Sequence, residues 1–321
     1  HKPQRENRMM MKPLQDRNTQ YAQQTLKKPF TCIGRGLHTG LKVIMTVMPA
    51  EANSGYRFVR RDVSAGRNEV IAAWHTVTET NLCTTVSNNM GVRVSTIEHL
   101  IAALYANGVD NARIVLDGPE VPIMDGSAKP FSELIESVGL EALEEERKAI
   151  VITDTITVRD GKKEASLIPS PTSWITMEID FESSVIGRQS LSLEMGTENF
   201  NRELADSRTF GFVDQMNTLQ ALGYARGGSL QNAVLVAKNG VINKDGLRHD
   251  NEFIRHKMLD AIGDLALSGA PIIGSFSAKY SGHKLNNELL RKLLQSQNAY
   301  RYVPLREVSD NWVEMMNVSA G

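Results

Sequence analysis

The chain has 321 residues, 41% of them apolar, and a formal net charge of −1. That length accommodates two ordinary domains, and the near-zero charge gives no electrostatic footprint for nucleic acid or an anionic surface. Cys32 and Cys83 are too few for a disulfide framework or a Cys-rich structural zinc site and fit a reducing cytoplasm, while no run of about 18 apolar residues is available to span a membrane. In chain order, residues 1–24 are polar, lack the apolar stretch of a signal peptide, and read as a disordered extension outside the fold. Residues 41–47 and 112–116 are rich in β-branched side chains and predict strands. Between them the pattern predicts a helix over 96–106, stopped by Asn107-Gly108, and after them a second over 130–138, stopped by Gly139. The charged segment 141–148 carries little apolar pattern and marks the expected boundary between an N-terminal domain over 25–143 and a C-terminal domain over 149–306.

Beyond the boundary, strands are expected over 150–158 and 174–181, around a turn at Asp160-Gly161. Residues 211–236 read as an amphipathic helix bearing Phe212, Met216, Leu219 and Leu222, a stop at Gly223, the Gly227-Gly228 pair and an apolar run. Two long helices follow over 251–267 and 284–297, and residues 307–321 are left as a tail. Each half is a sheet covered by helices, so the fold class is α+β. No sequence repeat links the halves, so any internal symmetry is structural. Two-domain enzymes often place the site where the domains meet.

His256 and Asp260, four residues apart on a helix, share one face, and Asp264 continues the stripe a turn later. Alone, this reads better as a solvated helix face. The segment Ser95-Thr96-Ile97-Glu98-His99 opens an otherwise apolar helix. Ser95 and Glu98 match a capping box, in which Glu98 merely bonds back to the helix start; that reading leaves His99 unexplained. Together His99, His256 and Asp260 would give the two imidazoles and one carboxylate of a catalytic zinc site with its fourth position open to water. Glu98 projects about 100° round the helix from His99 and would flank the metal. His283 follows Ser281-Gly282 in an expected loop; an Asp264 facing it would raise its pKa and keep it protonated near neutral pH. His38 could line the site, but a structural role in the glycine-rich turn 34–40 is the better reading.

Longer stretches carry a resemblance: Gly36-Leu37-His38-Thr39-Gly40, Leu82-Cys83-Thr84, Ser95 to Leu100, Pro122-Ile123-Met124-Asp125-Gly126-Ser127-Ala128, Arg208-Thr209-Phe210-Gly211-Phe212, the run from Phe253 to Leu265, and Ser281-Gly282-His283. In this order the chain resembles the UDP-3-O-acyl-N-acetylglucosamine deacetylase family, the zinc enzymes of lipid A synthesis, over about 25–306. The resemblance implies two domains of similar two-layer sheet-and-helix fold packed against each other at the zinc. It implies His99, His256 and Asp260 as Zn²⁺ ligands, Glu98 as general base, and Thr209 with His283, the latter oriented by Asp264, as stabilisers of the oxyanion. Lys257 would lie beside the substrate and Phe210 on its sugar. Lys163, with Lys162 as rival, would meet the diphosphate or nucleotide. Leu82, Cys83 and Gly228 complete the implied substrate contacts, residues 211–236 becoming an insert that forms an apolar passage for the acyl chain. The implied partner is the UDP-3-O-acyl-N-acetylglucosamine substrate, with no nucleic acid, no membrane segment and a monomeric enzyme. Fe²⁺ suits the same donor set as Zn²⁺. Two other classes stay open: a sugar-nucleotide binder with a closed structural metal, and a metal-free acid–base hydrolase using Glu98 and His283.

Overall fold

The computed structural model describes residues 19–308 together with 312, 315 and 316. Residues 1–18 of the expected extension lie outside them, but its end is ordered: Thr19–Tyr21 forms a 3-10 turn and Ala22–Leu26 a strand. That strand pairs antiparallel with Leu140–Glu146, within the segment expected to be a linker. The ribbon is held by backbone pairing, with few buried side chains on the second strand, so no apolar pattern announces it.

In the first half, five strands lie in the spatial order Phe30–Arg35, Lys42–Pro49, Ala112–Leu116, Tyr56–Arg60, Glu69–Ala72. All neighbours are antiparallel except Ala112–Leu116 with Tyr56–Arg60. Burial alternates along Lys42–Pro49, with Val43, Met45 and Val47 inside and Ile44 and Met48 outside, the period-two signature of a one-sided sheet. The helices are α1 (Glu98–Ala106), α2 (Lys129–Val138), the single turn α3 (Thr197–Asn199), α4 (Met216–Ala221), α5 (Glu252–Leu265) and α6 (His283–Leu294).

The second half repeats the first. Ile156–Asp160, Lys163–Ile168, Ser275–Lys279, Trp174–Asp180 and Arg188–Glu194 follow in space, and again a single pair, Ser275–Lys279 with Trp174–Asp180, is parallel. Numbered within its own sheet, each half runs one, two, five, three, four. In each, a buried helix precedes the fifth strand and a second helix follows it, so α1 corresponds to α5 and α2 to α6. Topology depends on the order of apolar patterns and turns, not on residue identity, which is why no sequence repeat is visible.

Several elements differ from expectation. The strand over 150–158 divides at Thr153, because the amides of Thr153 and Asp154 both donate to the Ala299 carbonyl. Lys148–Ile152 joins a separate sheet with Ile272–Ile273 and Tyr300–Pro304, and Ile156–Asp160 opens the five-stranded one. The long helix expected within 211–236 shrinks to α4. Phe210–Phe212 pairs instead with Val234–Ala237, and Gly223 at φ 90° lies just past the helix end. A helix this short is marginal on its own, so sheet pairing of its flanks prevails. The expected tail is not free either. Val308 and Met315 pack with Ala149 and Val151, covering the face of Lys148–Ile152 that Ile150 and Ile152 leave exposed when they enter the main core.

Candidate metal centre

α1 and α5 cross in near backbone contact. A Cβ on Gly263 would lie 2.1 Å from the Glu98 carbonyl oxygen, so this crossing admits no side chain. The close approach sets His99 of α1 against His256 and Asp260 of α5. Asp260 Oδ1 lies 3.1 Å from His99 Nε2 and 3.3 Å from His256 Nε2. The imidazole rings meet edge to face at 4.8 Å. The donor atoms of the three buried residues all lie within 4.8 Å of one another. The Nδ1 of His256 is 2.9 Å from the Ser207 carbonyl; donating there, it leaves Nε2 free to ligate. Burial lowers the His99 pKa, and Asp260 offsets this only in part. At His256 burial also lowers, but the Asp260 carboxylate outweighs it and the net shift is upward. Asp260 itself, despite burial, is held well below the usual carboxylate range by His256 and His99. A buried anion between two imidazoles is a donor set that fits a divalent cation such as zinc.

Glu98 and His283 face this trio, a donor atom of each lying within 4.8 Å of one on Asp260. Glu98 is not a capping residue. The residue before α1 is Ile97, the Ser95 amide donates to the Pro119 carbonyl, and the Ser95 hydroxyl accepts from Thr85. Glu98 Oε2 instead accepts the Thr84 amide at 3.1 Å, and Oε1 lies 3.7 Å from His283 Nε2. Burial pushes its carboxyl up to about 8, against the pull of His283. His283 is the first residue of α6 rather than a loop residue. Its Nδ1 bonds Asp264 Oδ2 at 2.8 Å. Burial lowers its pKa, but the carboxylates of Asp264 and Glu98 outweigh that and push it up to about 10.

Thr209 is anchored through its backbone, donating to the Gly126 carbonyl and accepting from Val234. Phe210 packs between Phe253 and Phe181 with its ring 6.4 Å from that of His256. Lys257 Nζ lies beside Gly282, where a Cβ would be 3.9 Å away. Leu82 is partly exposed, whereas Cys83 is buried and its thiol is pushed up to about 12 by burial, too high for a nucleophile. Lys163 is exposed at a strand start. Its neighbour Glu164 pairs with Lys279, so Lys163 sits at the sheet end from which the chain enters α6; Lys162 occupies the adjoining turn. Gly228 lies against Ala225 and Leu37. The turn 36–40 docks onto this segment: the amides of Arg226 and Gly227 donate to the carbonyls of His38 and Leu37, and that of Ala225 to His38 Nδ1. These contacts engage the His38 carbonyl and Nδ1, while its Nε2 is buried without a hydrogen-bond partner. A groove of about 1140 Å³ runs beside Phe181, Phe212, Val213 and Val236, with Asp180, Glu182, Asp214 and Lys238 among its polar lining.

Sequence reasoning passed over Thr84, Asn286 and Glu252 as site residues. It also missed a backbone feature. Leu82, Thr96, Met124, Ala225 and Tyr280 all adopt left-handed φ between 54° and 63° without being glycine. Each lies within three residues of Thr84, Glu98, Gly126, Gly228 or His283, where strain of this kind is expected to be imposed by the surroundings. Glu252 accepts from the Arg208 amide and guanidinium and from the Arg248 amide, fixing the segment that leads through Thr209 into Phe210–Phe212. Burial raises the Glu252 pKa, but these donors outweigh it and the net shift is downward. A depressed folded pKa contributes stability that is present above the unfolded value of about 4.3 and lost as pH falls through the folded one. Glu252→Gln is expected to cost about 1.5–3 kcal/mol at neutral pH, the loss of charged hydrogen bonds to the half-buried Arg208. It should also flatten the acid-side loss of stability; thermal melts of both proteins from pH 7 down to about 3 check this.

Two imidazoles and a carboxylate from symmetry-related helices, with a buried carboxylate and a carboxylate-paired imidazole beside them, define a candidate metal-dependent hydrolase of α+β, two-domain fold. The chain belongs to the UDP-3-O-acyl N-acetylglycosamine deacetylase family, whose model matches residues 23–295. It is 47% identical over 290 residues to a UDP-3-O-acyl-N-acetylglucosamine deacetylase of Myxococcus xanthus, covering 90% of this chain and 92% of that one. The enzyme of the same name from Phenylobacterium zucineum is 46% identical over 279 residues, 87% and 95% of the two chains. That of Shewanella halifaxensis is 43% identical over 290 residues, 90% and 94%.

Proposed function

We propose that this chain hydrolyses the acetamide of UDP-3-O-acyl-N-acetylglucosamine, giving acetate and UDP-3-O-acyl-glucosamine, the committed deacetylation of lipid A synthesis, with Zn²⁺ held by His99, His256 and Asp260. The observation that carries this is the placing of Glu98 and the His283–Asp264 pair against the three-donor cluster, in a chain nearly half identical to named deacetylases. Bound there, zinc supplies an acidified water and a polarised acetamide carbonyl. Glu98 takes the water's proton during attack. Protonated His283, held by Asp264, and the Thr209 hydroxyl receive the charge that develops on the carbonyl oxygen. The departing amine then needs one proton. Glu98, protonated in the attack, and protonated His283 both stand beside the reacting centre, and either can supply it.

We assign Lys257 and Phe210 to the border of the reacting centre, and Lys163 to the nucleotide side. Phe212 and Val236, lining the large groove, are the wall we assign to the acyl chain, each methylene buried there adding about 0.8 kcal/mol. Two free buried cysteines agree with a reducing cytoplasm. No helix among the described residues is long and apolar enough to cross a membrane.

The test is acetate release from UDP-3-O-(3-hydroxyacyl)-N-acetylglucosamine by the zinc-loaded protein; no release would overturn the reading. His283→Ala is expected to keep its zinc and lose about 10²–10³ in kcat, the cost of one oxyanion donor. Zinc lost from this variant by elemental analysis would place His283 among the ligands instead.

A further inference from the structure

The loop that carries Leu82 turns inward through that residue's left-handed φ of 63°. It delivers Thr84, 2% exposed, between the two halves. The Thr84 amide donates to Glu98 Oε2 at 3.1 Å, and its hydroxyl donates to Asp264 Oδ1 at 2.6 Å across 180 positions of sequence. The two carboxylates it holds stand on opposite sides of His283. Asp264 bonds Nδ1, and Glu98 faces Nε2. Asn286 also holds Asp264, but through Oδ2, the oxygen that already accepts from His283. Oδ1 is held by the Thr84 hydroxyl, and 2.6 Å is the length of a charge-assisted O–H···O⁻ bond.

We propose that Thr84 is a positioning residue of this site. One side chain and one amide fix Glu98 and the His283–Asp264 pair relative to each other across the junction of the halves. Without the hydroxyl, the Asp264 carboxylate is free to turn about its remaining contacts and His283 turns with it. The consequence falls on the chemical step, because the Thr84 hydroxyl and amide bond Asp264 and Glu98 rather than the three-donor cluster.

The proposal rests on the deacetylase reading, and the two fail differently: a parent enzyme that releases no acetate defeats the reading, whereas Thr84 is judged against an active parent. Thr84→Val is expected to lower kcat about 10- to 100-fold, the loss of a hydrogen bond to a charged group, with KM and zinc content near parent. Thr84→Ser, which restores the hydroxyl, should return to within about threefold of parent. In an Asp264→Asn background Thr84→Val should cost almost nothing more, since its effect passes through that carboxylate. In metal-free protein, the low-field proton resonance of His283 Nδ1–H should move in Thr84→Val and return in Thr84→Ser. If Thr84→Val does not fold, Thr84→Ala removes the hydroxyl without adding bulk and takes its place. A Val variant within about threefold of parent kcat, Val and Ser variants equally slow, full additivity with Asp264→Asn, or an unmoved resonance would each overturn the proposal.

Discussion

Glu98→Gln is expected to bind zinc as the parent does, melt no lower, and turn over about 10²–10⁴-fold more slowly. Stability holds because the glutamine carbonyl still accepts the Thr84 amide that Glu98 Oε2 accepts now. The change also removes a carboxylate from a site only 3% exposed, where ionisation is costly. Rate falls because an amide cannot take a proton from the attacking water. A base acts when ionised, so parent kcat rises with pH through the Glu98 pKa. Burial sets that value near 8, with His283 opposing, and a divalent cation on the adjacent donors draws it lower still. The glutamine variant has no such group and should lose this acidic limb. A zinc-loaded variant within about threefold of parent kcat, against the 10²–10⁴-fold expected, would remove Glu98 from the role of base.

Asp260→Ala is expected to abolish both metal binding and activity. Its Oδ1 is the point shared by His99 and His256, so removing it leaves two imidazoles with no common anion. Loss of an outer partner alone typically costs about 10–100-fold in affinity, and loss of a ligand should exceed that. Elemental analysis after dialysis should find the variant zinc-poor where the parent holds one equivalent. Parent enzyme stripped by chelator should regain acetate release in proportion to zinc returned, up to one per chain. Full zinc in Asp260→Ala would refute the ligand set, and a parent still active after complete chelation would point to metal-free acid–base catalysis by Glu98 and His283.

The sequence by itself determined what local geometry dictates. His256, Asp260 and Asp264 share a helix face whatever else the chain does, because a turn of 3.6 residues stacks positions four apart. α1, α2, α5 and α6 lie within a few residues of the predicted helices, since apolar periodicity and the stops at Asn107-Gly108 and Gly139 are short-range signals. The tertiary structure decided whatever depends on a partner distant in sequence. Whether Glu98 caps a helix or faces a candidate metal site turned on Thr84, an amide no i-to-i+3 rule could name. Cluster geometry turned on Gly263, whose missing side chain lets α5 reach α1. The ribbon of Ala22–Leu26 with Leu140–Glu146 and the strand Phe210–Phe212 formed because backbone groups found partners, which side-chain patterns do not record. The repeated topology of the halves, which brings Glu98 and His99 on one helix against His256 and Asp260 on its counterpart, is a property of strand order in space and leaves no trace in residue identities.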